Sequence, residues 1–239
     1  MSIVLRLVGH TFNNPDLPVF DGVTPGEGEV DALGHWWFSS PAFRYSDLSG
    51  KGHHLSPIIG VTERIGYVTI HDSSSFETNI PDQKEGTIFA IVRKNNIGNS
   101  VICGSLGSTF GHSLMLDYKG DQKIDVQARM GSDPANLVLG TSYSYQNDEW
   151  LCVAYTWDAS GLKVYIPKEA IPLIFTHSYT SSGEALGETF SIGQFSGGGD
   201  SKSIDMADCQ IYGEALTENL ILEKFERAKS RLQRYGITI

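Results

Sequence analysis

The sequence has few charged residues, few cysteines and no long apolar run. Charged side chains make up 19% of the 239 residues, below the share of about 25% that is usual for globular proteins. Cys103, Cys152 and Cys209 show no CxxC spacing, and their odd number favours reduced, buried thiols. The short apolar run at the N-terminus fits neither a signal peptide nor a membrane span. We therefore predict a chain without structural disulfides, a cysteine-ligated metal or membrane insertion.

The net charge excludes a further group of partners. At pH 7 the chain carries a formal charge of −10. Nucleic acids and anionic membranes attract proteins through basic surfaces, and an acidic protein is repelled by both. We therefore expect no nucleic-acid partner.

Turn formers and aromatic residues are abundant. The chain has 26 glycines, 4 tryptophans, 10 tyrosines and 11 phenylalanines. About ten short strands follow one another, separated by turn-rich segments. The most distinct lie at residues 35–38, 67–70, 87–93, 114–118, 124–129, 150–157, 162–166, 190–193 and 204–212. This pattern predicts an all-β fold, a two-sheet antiparallel β-sandwich.

The sandwich is predicted at residues 34–216, between two different terminal segments. Residues 1–33 combine a first strand with a stretch rich in Asn, Pro, Gly and Asp, which predicts an extended arm or an added edge strand. Residues 217–239 predict a C-terminal α-helix with Thr217 as N-cap and Gly236 at its end. Its single apolar stripe either packs on the sandwich or forms an oligomer contact. The stripe consists of Ile221, Phe225, Ala228 and Leu232.

Several segments, in order, resemble the concanavalin A-like lectin/glucanase superfamily, in particular its laminin G-like and pentraxin-like jelly rolls. Gly34 to Phe38 resembles the opening strand of that family, and Asp47-Leu48-Ser49-Gly50 resembles the turn that follows. Trp150 to Ile166 is similar to the central hairpin, and Ile204 to Thr217 to the closing strand. The resemblance implies a jelly roll over about residues 34–225. It does not choose a function, because the fold hosts binding modules, hydrolases and scaffolds.

The resemblance also implies a structural Ca²⁺ ion near the Asp-x-Ser-Gly turn and the closing strand. Asp47, with Asp205 or Asp208, would then supply ligands, since calcium prefers carboxylate and carbonyl oxygens. Alternatively, Asp47 caps its own turn through a side-chain hydrogen bond.

Two observations bear on chemistry. Glycoside hydrolysis needs two carboxylates that flank the sugar bond, and the nearest pattern, Glu29-x-Asp31, lacks a third acid. We therefore expect no enzymatic activity and no catalytic residue. Tyr143, Tyr145 and Tyr179 lie in Ser/Thr-rich segments that read as turns, where tyrosine can offer an aromatic face to a sugar. These three residues are the predicted ligand site, unless they pack over the sandwich edge.

The opening strand, Ile3 to Val8, is similar to the first residues of structural proteins from tailed bacteriophages. This resemblance implies a virion protein that is made in the host cytoplasm. The leading hypothesis is a non-enzymatic attachment module, such as a tail-fibre, receptor-binding or decoration protein, that binds a cell-surface glycan and forms a homo-oligomer. The alternatives are a purely structural virion protein, with other virion proteins as its partners, and then a glycoside hydrolase.

Overall fold

Fourteen strands and one α-helix make up the part of the chain that the structure describes. The computed structural model describes residues 28–72, 74–94, 96–105, 110–118, 120–130, 137–178, 188–195 and 201–239. The strands are β1 (Gly34–Trp36), β2 (Val61–Arg64), β3 (Tyr67–Ile70), β4 (Phe76–Pro81), β5 (Gly86–Arg93), β6 (Ser100–Gly104), β7 (Phe110–Leu116), β8 (Lys123–Met130), β9 (Leu137–Ser144), β10 (Trp150–Asp158), β11 (Gly161–Tyr165), β12 (Leu173–His177), β13 (Thr189–Ile192) and β14 (Ile204–Tyr212). The helix α1 spans Glu218–Leu232, and a 3₁₀ turn follows at Gln233–Tyr235.

The strands form two antiparallel sheets. The eight-stranded sheet has the order β12-β11-β10-β5-β14-β3-β2, and β1 also pairs with β14. The six-stranded sheet has the order β4-β13-β6-β7-β8-β9. This arrangement confirms the predicted antiparallel β-sandwich with a C-terminal helix.

The main core lies between the two sheets. Strand β5 lies near the middle of the larger sheet, and its alternate residues Ile88, Ala90 and Val92 face the smaller sheet. Leu114, Val126 and Ile192 meet them from the smaller sheet, within one cluster of buried residues. Such alternation follows from the two-residue period of a strand. The core therefore fixes which face of each strand is left for other contacts.

Helix α1 covers the opposite face of the eight-stranded sheet. Ile221, Phe225, Ala228 and Leu232 are 0–3% exposed and pack against a second buried cluster that contains Phe89 and Ile91 of β5. The apolar stripe is thus used within the chain, which leaves it unavailable for the oligomer contact considered from the sequence.

The start of the helix forms as the sequence predicts, whereas Gly236 ends the 3₁₀ turn that follows α1 and not α1 itself. The Thr217 side chain accepts a hydrogen bond from the Leu220 amide, and Gly236 adopts a left-handed conformation with φ 70°. We expect Thr217→Ala to lower the free energy of unfolding by about 1 kcal/mol, because one helix N–H loses its acceptor. Chemical denaturation of the two proteins would measure the difference, with Thr217→Ser as the variant that keeps the cap. An equal loss in both variants would contradict a capping role.

A group of buried charges joins α1 to the sheet beneath it. Asp208 of β14 is fully buried, 3.3 Å from His35 Nε2 and 3.4 Å from Arg231 Nη2. Burial alone would raise the pKa of Asp208, but the charges of His35 and Arg231 hold it below its usual value. Lys224, 1% exposed, donates to Glu29 and Asp31 at 3.2 and 2.8 Å. We call these residues the buried charge cluster.

The cluster changes the interpretation of the N-terminal arm. Glu29 is 4% exposed and also accepts a hydrogen bond from Arg227 at 2.7 Å. The Leu33 amide donates to the Ile211 carbonyl at 2.7 Å, and Ala32 is fully buried. Residues 28–33, which the sequence assigns to the arm, therefore pack on the sandwich. The predicted strand at residues 3–8 lies outside the described residues.

Two Ser/Thr-rich segments that read as turns in the sequence begin within edge strands of the two sheets. Residues 141–144, part of a Ser/Thr-rich segment, belong to β9, and His177 ends β12. In β9, Thr141 is buried, Ser142 is exposed, Tyr143 is half-buried and Ser144 is exposed. A strand at the edge of a sheet can carry polar residues on its open face. Ser/Thr content alone therefore does not separate such a strand from a turn.

Candidate ligand-binding surface

The candidate surface begins at Arg93, the last residue of β5. Arg93 is paired in register with Trp150, the first residue of β10, on one side and with Asp205 of β14 on the other. Tyr67, the first residue of β3, lies near them. We call these four residues the aromatic cluster, and we call the end of the sandwich that contains them the Arg93 end.

The guanidinium of Arg93 lies against two aromatic rings. Its Cζ atom is 5.0 Å from the centroid of the Tyr67 ring and 4.8 Å from that of Trp150. The two ring centroids are 5.4 Å apart, with an interplanar angle of 71°. Both distances to the cation fall within the range of cation–π attraction, and the rings adopt the favourable edge-to-face geometry. The contacts hold the two rings in fixed orientations.

Asp205 fixes the position of Arg93. Arg93 Nε and Nη2 donate to Asp205 Oδ2 at 3.0 and 2.7 Å, and Thr69 Oγ1 donates to Oδ1 at 2.7 Å. Burial alone would lower the pKa of Arg93, but its hydrogen bond to Asp205 and the charge of that carboxylate raise it. The charge of Arg93 is therefore balanced within the protein, and the cluster is organised before any ligand arrives.

Trp150 differs from the other three tryptophans, all of which the structure describes. Trp36, Trp37 and Trp157 are 0–1% exposed, whereas Trp150 is half-buried, as is Tyr67. Both rings pack at the margin of the cluster that lies under α1. The predicted strands at residues 35–38 and 150–157 contain all four tryptophans. The structure adds that Trp150 lies at the surface, on a face that the helix only partly covers.

Polar side chains continue the surface from Trp150 towards the smaller sheet. Glu149, the neighbour of Trp150 in sequence, forms an ion pair with Lys168. Glu169 accepts a hydrogen bond from Tyr143 Oη at 3.2 Å. Burial, and then the charges of Glu169 and Glu149, raise the pKa of Tyr143 to about 12. The Tyr143 hydroxyl therefore stays protonated at neutral pH.

Comparison with known families identifies the fold. A laminin G domain model, described as Concanavalin A-like lectin/glucanases superfamily, matches residues 64–222. The chain belongs to this superfamily. Among curated protein sequences, no match is found.

Several solved structures that are similar to this chain are domains of botulinum neurotoxins. The receptor binding domain of botulinum neurotoxin D aligns with a TM-score of 0.63 and 15% identity, over 82% of this chain and 52% of that one. The type G receptor binding domain gives 0.63 and 14%, over 82% and 51%. A serotype D ligand binding domain in complex with N-acetylneuraminic acid gives 0.62 and 14%, over 84% and 52%. The chain spans about half the length of these structures.

The structure separates the three tyrosines that the sequence groups together. Tyr143 lies half-buried on β9. Tyr145 is 2% exposed and belongs to the core between the sheets, so its ring has no face to offer a sugar. The alternative of packing over the sandwich edge therefore describes Tyr145 and in part Tyr143, because the two side chains lie on the same inward face and Tyr143 packs against the same core. Tyr179 lies outside the described residues.

Asp47 has the role that was considered as the alternative to calcium binding. Its Oδ1 accepts from the amides of Ser49 and His35 at 2.9 and 3.1 Å, and Oδ2 accepts from the His53 amide at 3.0 Å. Burial alone would raise the pKa of Asp47, but these hydrogen bonds lower it. The bond to Ser49 confirms the predicted side-chain cap of the turn.

The three predicted calcium ligands do not form one set. Asp205 is bound by Arg93 and Thr69, whereas Asp208 is bound within the buried charge cluster. Asp47 holds its own turn. Among the described residues, no group of three or more His, Cys, Asp or Glu side chains is placed to hold a metal. These carboxylates together do not fit a single Ca²⁺ ion, and the binding of calcium itself stays a prediction.

One further property concerns membranes. None of the helices in the described ranges is long and apolar enough to cross a bilayer.

Proposed function

We propose that this chain is a non-enzymatic carbohydrate-binding module and that the aromatic cluster is its binding surface. The observation that carries the proposal is that Trp150 is only half-buried, held against Arg93 and next to Tyr67. A sugar ring has an apolar face that packs on an aromatic ring and hydroxyl groups that need polar partners. Tryptophan and tyrosine supply that combination with little loss of conformational entropy.

The comparisons support the class of ligand. The superfamily contains lectins by its own description, and one structure of similar fold is a complex with N-acetylneuraminic acid. This chain is only 14–15% identical to these structures, so the similarity supports the fold alone. Because the fold hosts several activities, the argument for saccharide binding rests on the aromatic cluster.

The disposition of the carboxylates supports a non-enzymatic role. Glu29 and Asp31, the nearest match to a glycosidase pattern, both contact Lys224 beneath α1. Asp205 is engaged by Arg93. Glycosidases need one acid that can give its proton to the leaving group and a second carboxylate across the bond, and these residues are occupied elsewhere.

A glycan array probed with the full chain tests the proposal. We expect retention of one group of saccharides and no release of reducing sugar on prolonged incubation with them. The absence of binding to every saccharide would overturn the proposal, and cleavage of a bound saccharide would overturn its non-enzymatic part.

We further propose that the module serves in attachment, as part of a bacteriophage particle. Support comes from the similarity of residues 3–8 to structural proteins of tailed phages. Immuno-electron microscopy of particles with an antibody against this chain tests the location, and unlabelled particles would contradict it.

A further inference from the structure

Two of the three cysteines lie in the core between the sheets, and all three thiols are free. Cys103 belongs to β6 of the six-stranded sheet and Cys209 to β14 of the eight-stranded sheet. Both are fully buried in the same cluster. Cys152 is also fully buried, but it lies in the cluster under α1. Cys103 and Cys209 are therefore the two cysteines whose side chains enter one core from opposite sheets.

A β-bulge directs each of these two side chains into the core. In β6 the register with β7 shifts between Val101 and Cys103. In β14 the register with β5 shifts between Met206 and Asp208, so that Met206 and Cys209 both face the core. Side chains alternate along a regular strand, and without the shifts each cysteine would point to the outer face of its sheet. The irregularities of the two strands thus bring the cysteines together.

The two thiols are in contact across the core. A hydrogen bond with Cys103, together with burial, raises the pKa of the Cys209 thiol. The thiol is therefore protonated at neutral pH, whereas thiol–disulfide exchange requires the thiolate and access to it. The closed core holds the pair side by side and protects both thiols from reagents in solution.

We propose that Cys103 and Cys209 are a redox modification site, at which a disulfide joins the two sheets when the core forms or opens in the presence of a small disulfide oxidant. A disulfide can bridge two facing sheets, as it does in antibody domains. The link between Cys103 and Cys209 closes a loop of about 100 residues, and a loop of that length favours a large stabilisation through the unfolded chain.

The reaction needs an oxidant, and oxidised glutathione supplies it. The thiolate of one cysteine attacks the S–S bond of oxidised glutathione, which gives a mixed disulfide and one glutathione thiol. The second cysteine attacks the protein sulfur of that mixed disulfide and releases the second glutathione thiol. The two cysteines lose two electrons and two protons in total, and one oxidised glutathione becomes two reduced molecules.

Refolding of the full chain from urea tests the proposal. One sample refolds with reduced glutathione alone, and the other refolds with an excess of oxidised glutathione. Free thiols are then alkylated in denaturant, and the peptides are mapped by mass spectrometry without reduction. We expect all three cysteines to be alkylated in the reduced sample, and Cys152 alone in the oxidised sample, with Cys103 joined to Cys209. Three alkylated cysteines in the oxidised, folded chain, a link that includes Cys152, or stable glutathione adducts in place of the link would overturn the proposal.

A second measurement removes the dependence on refolding. The folded chain is incubated with oxidised glutathione in urea below the unfolding midpoint, where the core opens and closes repeatedly. We expect the same link to accumulate, and more slowly without urea because the closed core protects the thiols. Complete alkylation of Cys103 and Cys209 after prolonged incubation would overturn the proposal.

Two cysteine variants separate the pair from a general effect of oxidation. We expect oxidation to raise the melting temperature of the unaltered chain and of Cys152→Ala by about 5 °C or more. Cys209→Ala lacks one member of the pair and should show no such rise. An equal rise in Cys209→Ala, or no rise in a linked, unaltered chain, would contradict a stabilising link between the sheets.

Discussion

Replacing Trp150 by alanine is expected to weaken saccharide binding by at least about thirtyfold. Aromatic residues at the centre of a binding surface commonly contribute 2 kcal/mol or more, which corresponds to that factor. The substitution removes the ring against which Arg93 and Tyr67 are ordered. It therefore removes both the stacking surface and part of its preorganisation. Trp150→Phe keeps an aromatic face and should lose much less affinity.

Titration calorimetry with the best array ligand measures the effect, and circular dichroism establishes that each variant is folded. Tyr118→Ala is the matched control, because Tyr118 is an exposed aromatic residue, 42% accessible, that follows β7 of the other sheet. We expect its affinity to stay within about twofold of the unaltered protein. A folded Trp150→Ala protein with unchanged affinity would place the binding surface elsewhere, and Tyr143 would be the next residue to substitute.

Asp208→Ala is expected to lower the free energy of unfolding by about 3–5 kcal/mol. The side chain is fully buried between β14 and α1. Its removal leaves His35 and Arg231 without the carboxylate that they share. Arg231 then keeps its longer contact with Glu29, at 3.5 Å, and a buried charge that loses a close partner retains much of its desolvation cost. Asp208→Asn retains an acceptor oxygen and should cost less.

Urea denaturation of the three proteins gives the comparison. Glu223→Ala is a suitable control, because Glu223 pairs with Arg227 on the exposed face of the same helix, where an i, i+4 pair contributes about 0.3–0.5 kcal/mol. If Asp208→Ala and Glu223→Ala destabilise the protein equally, the buried charge cluster does not contribute to stability as described.

Local patterns made the fold and the helix predictable from the sequence. The stripe from Ile221 to Leu232 has the period of a helix, and Thr217 and Gly236 mark the start of the helix and the end of the 3₁₀ turn after it by chemistry that acts within a few residues. The buried strands are equally visible, since β5 and β10 are nearly continuous apolar runs. In both cases the information lies within the segment itself.

The binding surface could not be predicted in the same way. Arg93 and Asp205 are 112 residues apart in sequence, and only the register of β5 with β14 brings them together. Trp150 is half-buried on the helix side of β10, whereas Trp157, on the opposite face of the same strand, is buried in the core between the sheets. One signal was present: Trp150 directly follows the polar residues Asp148 and Glu149, at the start of a strand.

The predicted tyrosine site illustrates a different limit, because residues that composition suggests for a surface site can be buried. Serine and threonine neighbours suggest exposed turns for Tyr143 and Tyr145, but alternation along the strand points both side chains inwards, with Tyr145 in the main core and Tyr143 half-buried against it. Burial of Tyr145 follows from the packing of an edge strand against the core. Composition does not reveal that packing.

A crystal structure of the full chain with the strongest ligand from the array tests the central claim most directly. We expect a sugar ring stacked on Trp150 at van der Waals distance, about 3.5–4.0 Å, with its hydroxyl groups near Tyr67 and the Arg93–Asp205 pair, and every glycosidic bond of the ligand intact. A sugar bound at another surface, with Trp150 unchanged and open to solvent, would contradict the account.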